Sequence, residues 1–184
     1  SSWTLTALPL FVWMGEILYR TKLSENLFKG LAPWLSRLPG GLIHVNVVGC
    51  ALFAAISGSS AATVATVGKM SIPELRKRNY PEKILLGSLA GSGTLGLLIP
   101  PSIILIIYGV TVQESIAKLF IAGILPGILI AIIFMFYVII WSLINKKIMP
   151  QSFESFSLVE KISRSKKLLP VIILILAVIG SIYT

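Results

Sequence analysis

The stretch SGSSAAT, residues 57–63, lies within residues 38–68, where His44 is the only basic or acidic side chain. Basic residues bound this stretch on both sides: Arg20, Lys22, Lys29 and Arg37 before it, and Lys69, Arg76, Lys77, Arg78 and Lys83 after it. A single span would put these clusters on opposite sides of a bilayer, against the tendency of Lys and Arg to collect on the cytoplasmic side. Two full spans need about 40 residues, more than the stretch provides. A re-entrant hairpin over residues 38–74 meets both constraints, entering and leaving by the cytoplasmic face with its tip at ISGSSAAT. Irregular backbone at membrane depth is tolerated only where it is buried in protein or lines an aqueous cavity. The tip is therefore a candidate site.

Composition supports the membrane setting. Hydrophobic residues make up 55% of the 184 and charged residues 12%, whereas soluble domains carry about 25% charge. The net charge of +9 falls in clusters between apolar runs, so it reads as a topology signal and not as a nucleic-acid surface. The single cysteine, Cys50, excludes a disulfide framework and a cysteine-based metal site. The chain opens on Ser–Ser–Trp and its last apolar run stops at Thr184, so it reads as cut at both ends.

A second irregular segment follows the hairpin. Residues 84–113 carry no charge and are long enough to cross, yet their middle reads GSLAGSGTLGLLIPPS. Gly91, Gly93 and Gly96 each weaken a helix by about 1 kcal/mol. Pro100 and Pro101 remove backbone donors, and the residue before a proline is pushed to extended backbone. A broken helix over residues 79–110 is expected, non-helical at Ile99 and Pro100. Residues 111–120 then read as a short amphipathic connector with Gln113 and Glu114 in a first helical turn. Residues 121–144 read as a continuous span, 148–167 as a polar loop and 168–182 as a final apolar run. Earlier in the chain, residues 5–19 form a first span, and 27–35 suggest a helix lying at the membrane interface. The expected units are 1–37 (scaffold span and interfacial helix), 38–110 (hairpin and broken helix), 111–147 (connector and scaffold helix) and 148–184 (loop and the start of the next helix).

The two irregular segments carry neutral oxygens and no carboxylate. The hydroxyls of Ser57, Ser59, Ser60, Ser92 and Thr94 and the carbonyls around Gly58, Gly91 and Gly93 suit a hard cation such as Na⁺, with Ser57, Ser60, Gly91 and Gly93 as the chosen ligands. A proton-coupled carrier would need an ionisable relay at depth. An anionic substrate suits the helix that starts after Pro100, Pro101 and Ser102, where Ser102 can cap and free N–H groups are available. Thr63 completes the tip. Small residues also let membrane helices approach closely, and it is their clustering here that favours a site.

The remaining polar residues read as structural. Glu16 pairs with Arg20 at i,i+4, His44 is a hydrogen-bonded histidine, and Asn46 seeks a partner on a neighbouring helix. Pro126 with Gly127 marks a kink. Trp3, Trp13, Trp34 and Trp141 fit interface belts and scaffold packing. A hydrolase would need a nucleophile with a base in reach, and the sequence holds one histidine. A channel-like or purely structural membrane subunit stays open as an alternative.

The runs IHVNVVGCALFAAISGSSAATVATVGKMSIPELRKRNY, GSLAGSGTLGLLIPPSIILIIYGV and LFIAGILPGILIA occur in that order. Together with LPLFVWMGEILYR at residues 8–20 they resemble the large membrane subunit of tripartite ATP-independent periplasmic (TRAP) transporters over nearly the whole chain. Many members carry Asp where Thr63 stands, and some sialic acid transporters lie near the SGSSAAT form. The resemblance implies an all-α integral membrane fold: half of an elevator-type transporter, with a re-entrant hairpin, a broken helix and about three further membrane helices. It implies no cofactor beyond Na⁺ as coupling ion. It also implies import of an organic acid such as a C4-dicarboxylate or sialic acid across the bacterial inner membrane. Its partners are the lipid bilayer, a periplasmic substrate-binding protein and a small membrane subunit, separate or fused. A second repeat would follow residue 184, so this chain would hold half of a site and would not transport alone.

Overall fold

Residues 43–57, IHVNVVGCALFAAIS, are apolar around their whole circumference, and such a helix is stable only when surrounded. The computed structural model describes residues 9, 10, 13, 14, 16, 17, 20, 21, 23–150 and 157–183, and in it this helix is the centre of the core. Twelve of its fifteen residues are buried, among them Ile43, Val47, Phe53 and Ile56. The described residues form helices α1 (Leu23–Leu35), α2 (Ile43–Ser57), α3 (Ser60–Lys77), α4 (Glu82–Gly93), α5 (Ile103–Val112), α6 (Ile116–Ile144), α7 (Leu158–Ser165) and α8 (Leu169–Tyr183). Short 3₁₀ turns extend α4 over Thr94–Leu97 and precede α8 over Lys166–Leu168. No strand occurs among the described residues.

Helices α2 and α3 form a helical hairpin with Gly58 and Ser59 between them, and α4 packs against both. Asn46 ties α2 to α4 as expected, its Nδ2 donating to Ser88 Oγ at 3.0 Å and to the Leu85 carbonyl at 3.3 Å. His44 is buried, its Nε2 donating to the Pro39 carbonyl at 2.7 Å and its Nδ1 lying 3.3 Å from Met135 Sδ on α6. Glu16 accepts from Arg20 at 2.8 Å. Trp3 and much of the run 5–19 lie outside the described residues.

Helix α1 packs its apolar side chains, Leu27, Phe28, Leu31 and Ala32, into the common core. Three expectations change. Gln113 does not open a helix; it closes α5 in the left-handed conformation at φ 56°. Helix α6 then begins at Ile116 and runs unbroken through Pro126, so residues 116–120 belong to the span and not to a separate connector. At about 1.5 Å per residue its 29 residues reach about 43 Å, more than the ~30 Å of a bilayer's hydrocarbon. The segment 148–167 contains α7, whose first turn is closed by Ser157 N–H donating to Glu160 Oε2 at 3.1 Å.

Among the described residues α6 alone is long and apolar enough to cross a membrane, while α2 and α5 are apolar but shorter. Most of α6 is exposed, with Leu125, Phe136 and Ile140 on its open surface. Its buried positions include Gly123 and Gly127, where the helix meets the irregular backbone that follows α4.

Candidate functional site

The site is built from two interruptions that the fold brings together. At the first, α2 ends at Gly58, whose φ of 61° is left-handed and whose N–H returns to the Ala54 carbonyl, a common helix ending that glycine adopts without strain. Ser59 is extended and caps α3, its Oγ accepting from Ala62 N–H at 3.4 Å. Buried Ser57 and Thr63 share a hydrogen bond between hydroxyls at 2.9 Å, and Ser57 Oγ also donates to the Ser59 carbonyl at 3.3 Å. The two-residue turn is thus tied from inside.

At the second interruption the 3₁₀ turn ends at Leu97, and residues 98–102 are non-helical, as the glycines and the Pro100–Pro101 pair predict; the peptide between those prolines is cis. Ser102 is extended and caps α5, its Oγ accepting from Leu105 N–H at 3.5 Å and donating to the Leu97 carbonyl at 2.7 Å.

One backbone bond joins the interruptions: Ile103 N–H donates to the Gly58 carbonyl at 3.1 Å. The approach leaves no room for side chains. A Cβ at Gly58 would stand 2.7 Å from the Pro101 carbonyl oxygen, and one at Gly96 would stand 2.8 Å from Ser60 N. A Cβ at Gly93 would overlap Val64 of α3. Two helix C-terminal ends, with their partial negative charge, and two N-terminal ends, with their partial positive charge, therefore converge in one place. Such a cluster offers carbonyls to a cation and N–H groups to an anion.

The structure gathers Ser57, Gly58, Ser59, Ser60, Thr63, Gly93, Pro101 and Ser102 around this junction, and Pro100 adjoins it in the chain. It turns three other residues away. Gly91 lies against Phe134 of α6, and its carbonyl accepts from Thr94 Oγ1 at 2.6 Å. Ser92 is buried beside α2, donating to Ser88 O at 2.5 Å and reaching the Asn46 carbonyl at 3.4 Å.

Gly96, Gly123 and Gly127 also serve the junction through their missing side chains, a role that their places in the sequence do not announce. Cβ atoms at the last two would stand 2.6 Å from the Leu98 carbonyl oxygen and 2.8 Å from the Ile99 side chain. The motif AGILPG thus fits α6 against the break, and Pro126 leaves the helix intact. The one trace of it in the chain is the four-residue spacing of the two glycines, which places them on one helix face.

An all-helical protein with, among its described residues, one long apolar helix and two helix interruptions brought together is the class that these features define. The family model described as "Tripartite ATP-independent periplasmic transporter, DctM component" matches residues 1–184, and the chain belongs to that family. The C4-dicarboxylate TRAP transporter large permease protein of Pseudomonas aeruginosa is 36% identical over 99% of this chain and 42% of its own length. The ectoine/5-hydroxyectoine TRAP transporter large permease protein of Ruegeria pomeroyi is 37% identical over 77% of this chain and 33% of its own. The sialic acid TRAP transporter permease protein of Haemophilus influenzae is 40% identical over 73% of this chain and 22% of its own. The chain thus spans less than half the length of these relatives. They are transporter permeases and not enzymes.

Proposed function

We propose that this chain supplies one half of the substrate and sodium site in a bacterial inner-membrane importer of small organic acids. In this reading α2 and α3 are a re-entrant hairpin, α4 and α5 a broken membrane helix, and the four move together as part of an elevator-type transport domain. Helix α6 belongs to the scaffold that faces lipid and partner helices. The observation that carries the proposal is the Ile103 N–H to Gly58 carbonyl bond, which holds tip and break together as one unit of converging helix ends. Neutral oxygens at Ser57, Ser60 and Gly93 provide for sodium, while the α5 N-terminus at Ser102 faces the substrate carboxylate. A C4-dicarboxylate or a sialic-acid-like substrate fits this chemistry. A periplasmic binding protein delivers it, and a small membrane subunit, separate or fused, completes the transporter.

The test is uptake by proteoliposomes containing the complete permease, its small subunit and its binding protein. Uptake should saturate, require an inward sodium gradient and stop when that gradient is collapsed. Uptake that persists without sodium, or flux that neither saturates nor needs the binding protein, overturns the reading; the latter favours a channel.

A further inference from the structure

A cavity of about 450 Å³ lies away from the junction, between the turn after α1, Tyr80 and the C-terminal end of α6. Arg37 and Lys146 line it together with the hydroxyl-bearing Ser36, Ser142 and Tyr80, and no described lining residue is acidic. Neither cation forms an ion pair with another described residue. Ser36 is only 6% exposed, and its Oγ has no hydrogen-bond partner among the described residues. A buried hydroxyl left unsatisfied costs about 1–3 kcal/mol, so Ser36 is a donor that an anionic oxygen would satisfy.

A smaller neighbouring cavity of about 170 Å³ sharpens the assignment. It shares Ser36 and Tyr80, but it also holds a carboxylate, Glu74, which pairs with Arg78 at 2.9 Å, and Lys29 there pairs with Glu25. The larger space thus holds two cations and no described carboxylate.

Position then selects the kind of anion. Lys146 lies two residues beyond the last residue of α6, where a membrane-spanning helix emerges among headgroups. Along the same end of α6, Phe136, Ile140 and Leu143 are exposed and offer an apolar track for acyl chains. Basic pockets between helices on the cytoplasmic side suit anionic headgroups. We propose that this cavity binds the phosphate of an anionic phospholipid of the cytoplasmic leaflet, with Arg37 and Lys146 as charge partners and Ser36 as hydrogen-bond donor. The proposal takes the basic ends around Arg37 and Lys146 to lie at the cytoplasmic face, in keeping with the bias of Lys and Arg toward that side, and does not use the transport site, so its failure leaves sodium-driven uptake untouched.

Native mass spectrometry of the complete permease, with phosphatidylglycerol, phosphatidylcholine or inorganic phosphate added, tests it. The permease should retain phosphatidylglycerol in preference to phosphatidylcholine, and inorganic phosphate should not displace it. Arg37→Gln with Lys146→Gln should weaken retention roughly 25-fold, about fivefold per cation, whereas Lys77→Gln with Lys83→Gln, equal in charge removed, should change it less than about twofold. Ser36→Ala should cost about threefold, the worth of one hydrogen bond. The charge-conserving pair Arg37→Lys with Lys146→Arg should keep retention, and it decides the matter if the glutamine pair fails to fold. Equal losses in the two glutamine pairs, or loss in the charge-conserving pair, overturn the assignment of charge partners. Absence of lipid preference overturns the site, and displacement by inorganic phosphate overturns the lipid in favour of a free anion.

Discussion

The hairpin tip and the helix break solve the same local problem with different residues. Ser59 and Ser102 have nearly the same backbone, φ −130°, ψ 125° and φ −124°, ψ 127°, and each caps the helix that follows it. What precedes them differs. At the tip, a left-handed glycine ends α2 and two residues suffice for the chain to double back. At the break, a 3₁₀ turn gives way to five non-helical residues containing two prolines, whose φ near −65° makes no left-handed turn. The tip is therefore tied by side chains within itself, Ser57 to Thr63, whereas the break is tied through its own cap, Ser102 to Leu97. The reversal uses glycine and internal hydroxyls; the break uses proline and one bifunctional serine.

The comparison is broken most severely at Gly58. Gly58→Val combines left-handed strain of about 1–2 kcal/mol with a clash against the Pro101 carbonyl. A loss near 3 kcal/mol is expected, seen as a lowered unfolding temperature of the complete permease together with lost uptake. Next come the paired caps. Ser59→Ala removes one capping bond and should cost about 1 kcal/mol. Ser102→Ala also strips the Leu97 carbonyl of its buried donor and should cost about 2 kcal/mol. Equal effects on thermal unfolding would show the caps to be interchangeable. A loss of about 1 kcal/mol, no larger than that of Ser59→Ala, is expected for Thr63→Val, because Ser57 Oγ keeps its bond to the Ser59 carbonyl. An unchanged melting temperature in that variant would mean that the tip is not tied from inside.

The difference between the two junctions also explains what could be read without coordinates. Glycine and proline act locally, so SGSS and IPPS announced a turn and a break at the right residues. Gln113 carries no comparable signature: its left-handed backbone is imposed by the close of α5, where Glu114 N–H also returns to the Gly109 carbonyl at 3.0 Å. Ser157 and Glu160 did carry a signature, the serine-x-x-glutamate pattern of a helix start, but a polar setting masked it. Gly96, Gly123 and Gly127 look like helix weakeners along the chain. Their purpose appears only when Ser60, Leu98 and Ile99 arrive from elsewhere. For the same reason Gly91, Ser92 and Thr94, which resemble the other small residues of the motif, could not be told apart from those at the junction. A shift of one or two positions around a helix decides whether a hydroxyl meets the junction, α2 or α6.

Ser60 separates folding from coupling. It is half-buried beside Gly93 and Gly96, and its hydroxyl takes part in none of the hydrogen bonds that tie the tip. Ser60→Ala should therefore leave stability within about 0.5 kcal/mol of the parent. If Ser60 is a sodium ligand, the sodium concentration for half-maximal uptake should rise about fivefold, the equivalent of about 1 kcal/mol for one lost oxygen contact. Ser59→Ala provides the control, since it damages the cap and leaves the Ser60 hydroxyl in place. It should lower the melting temperature more than Ser60→Ala does and move the sodium titration less. An unchanged titration in Ser60→Ala would remove that residue from the site. Equal titration shifts in both variants would trace the effect to a loosened tip, leaving sodium coordination to backbone carbonyls alone.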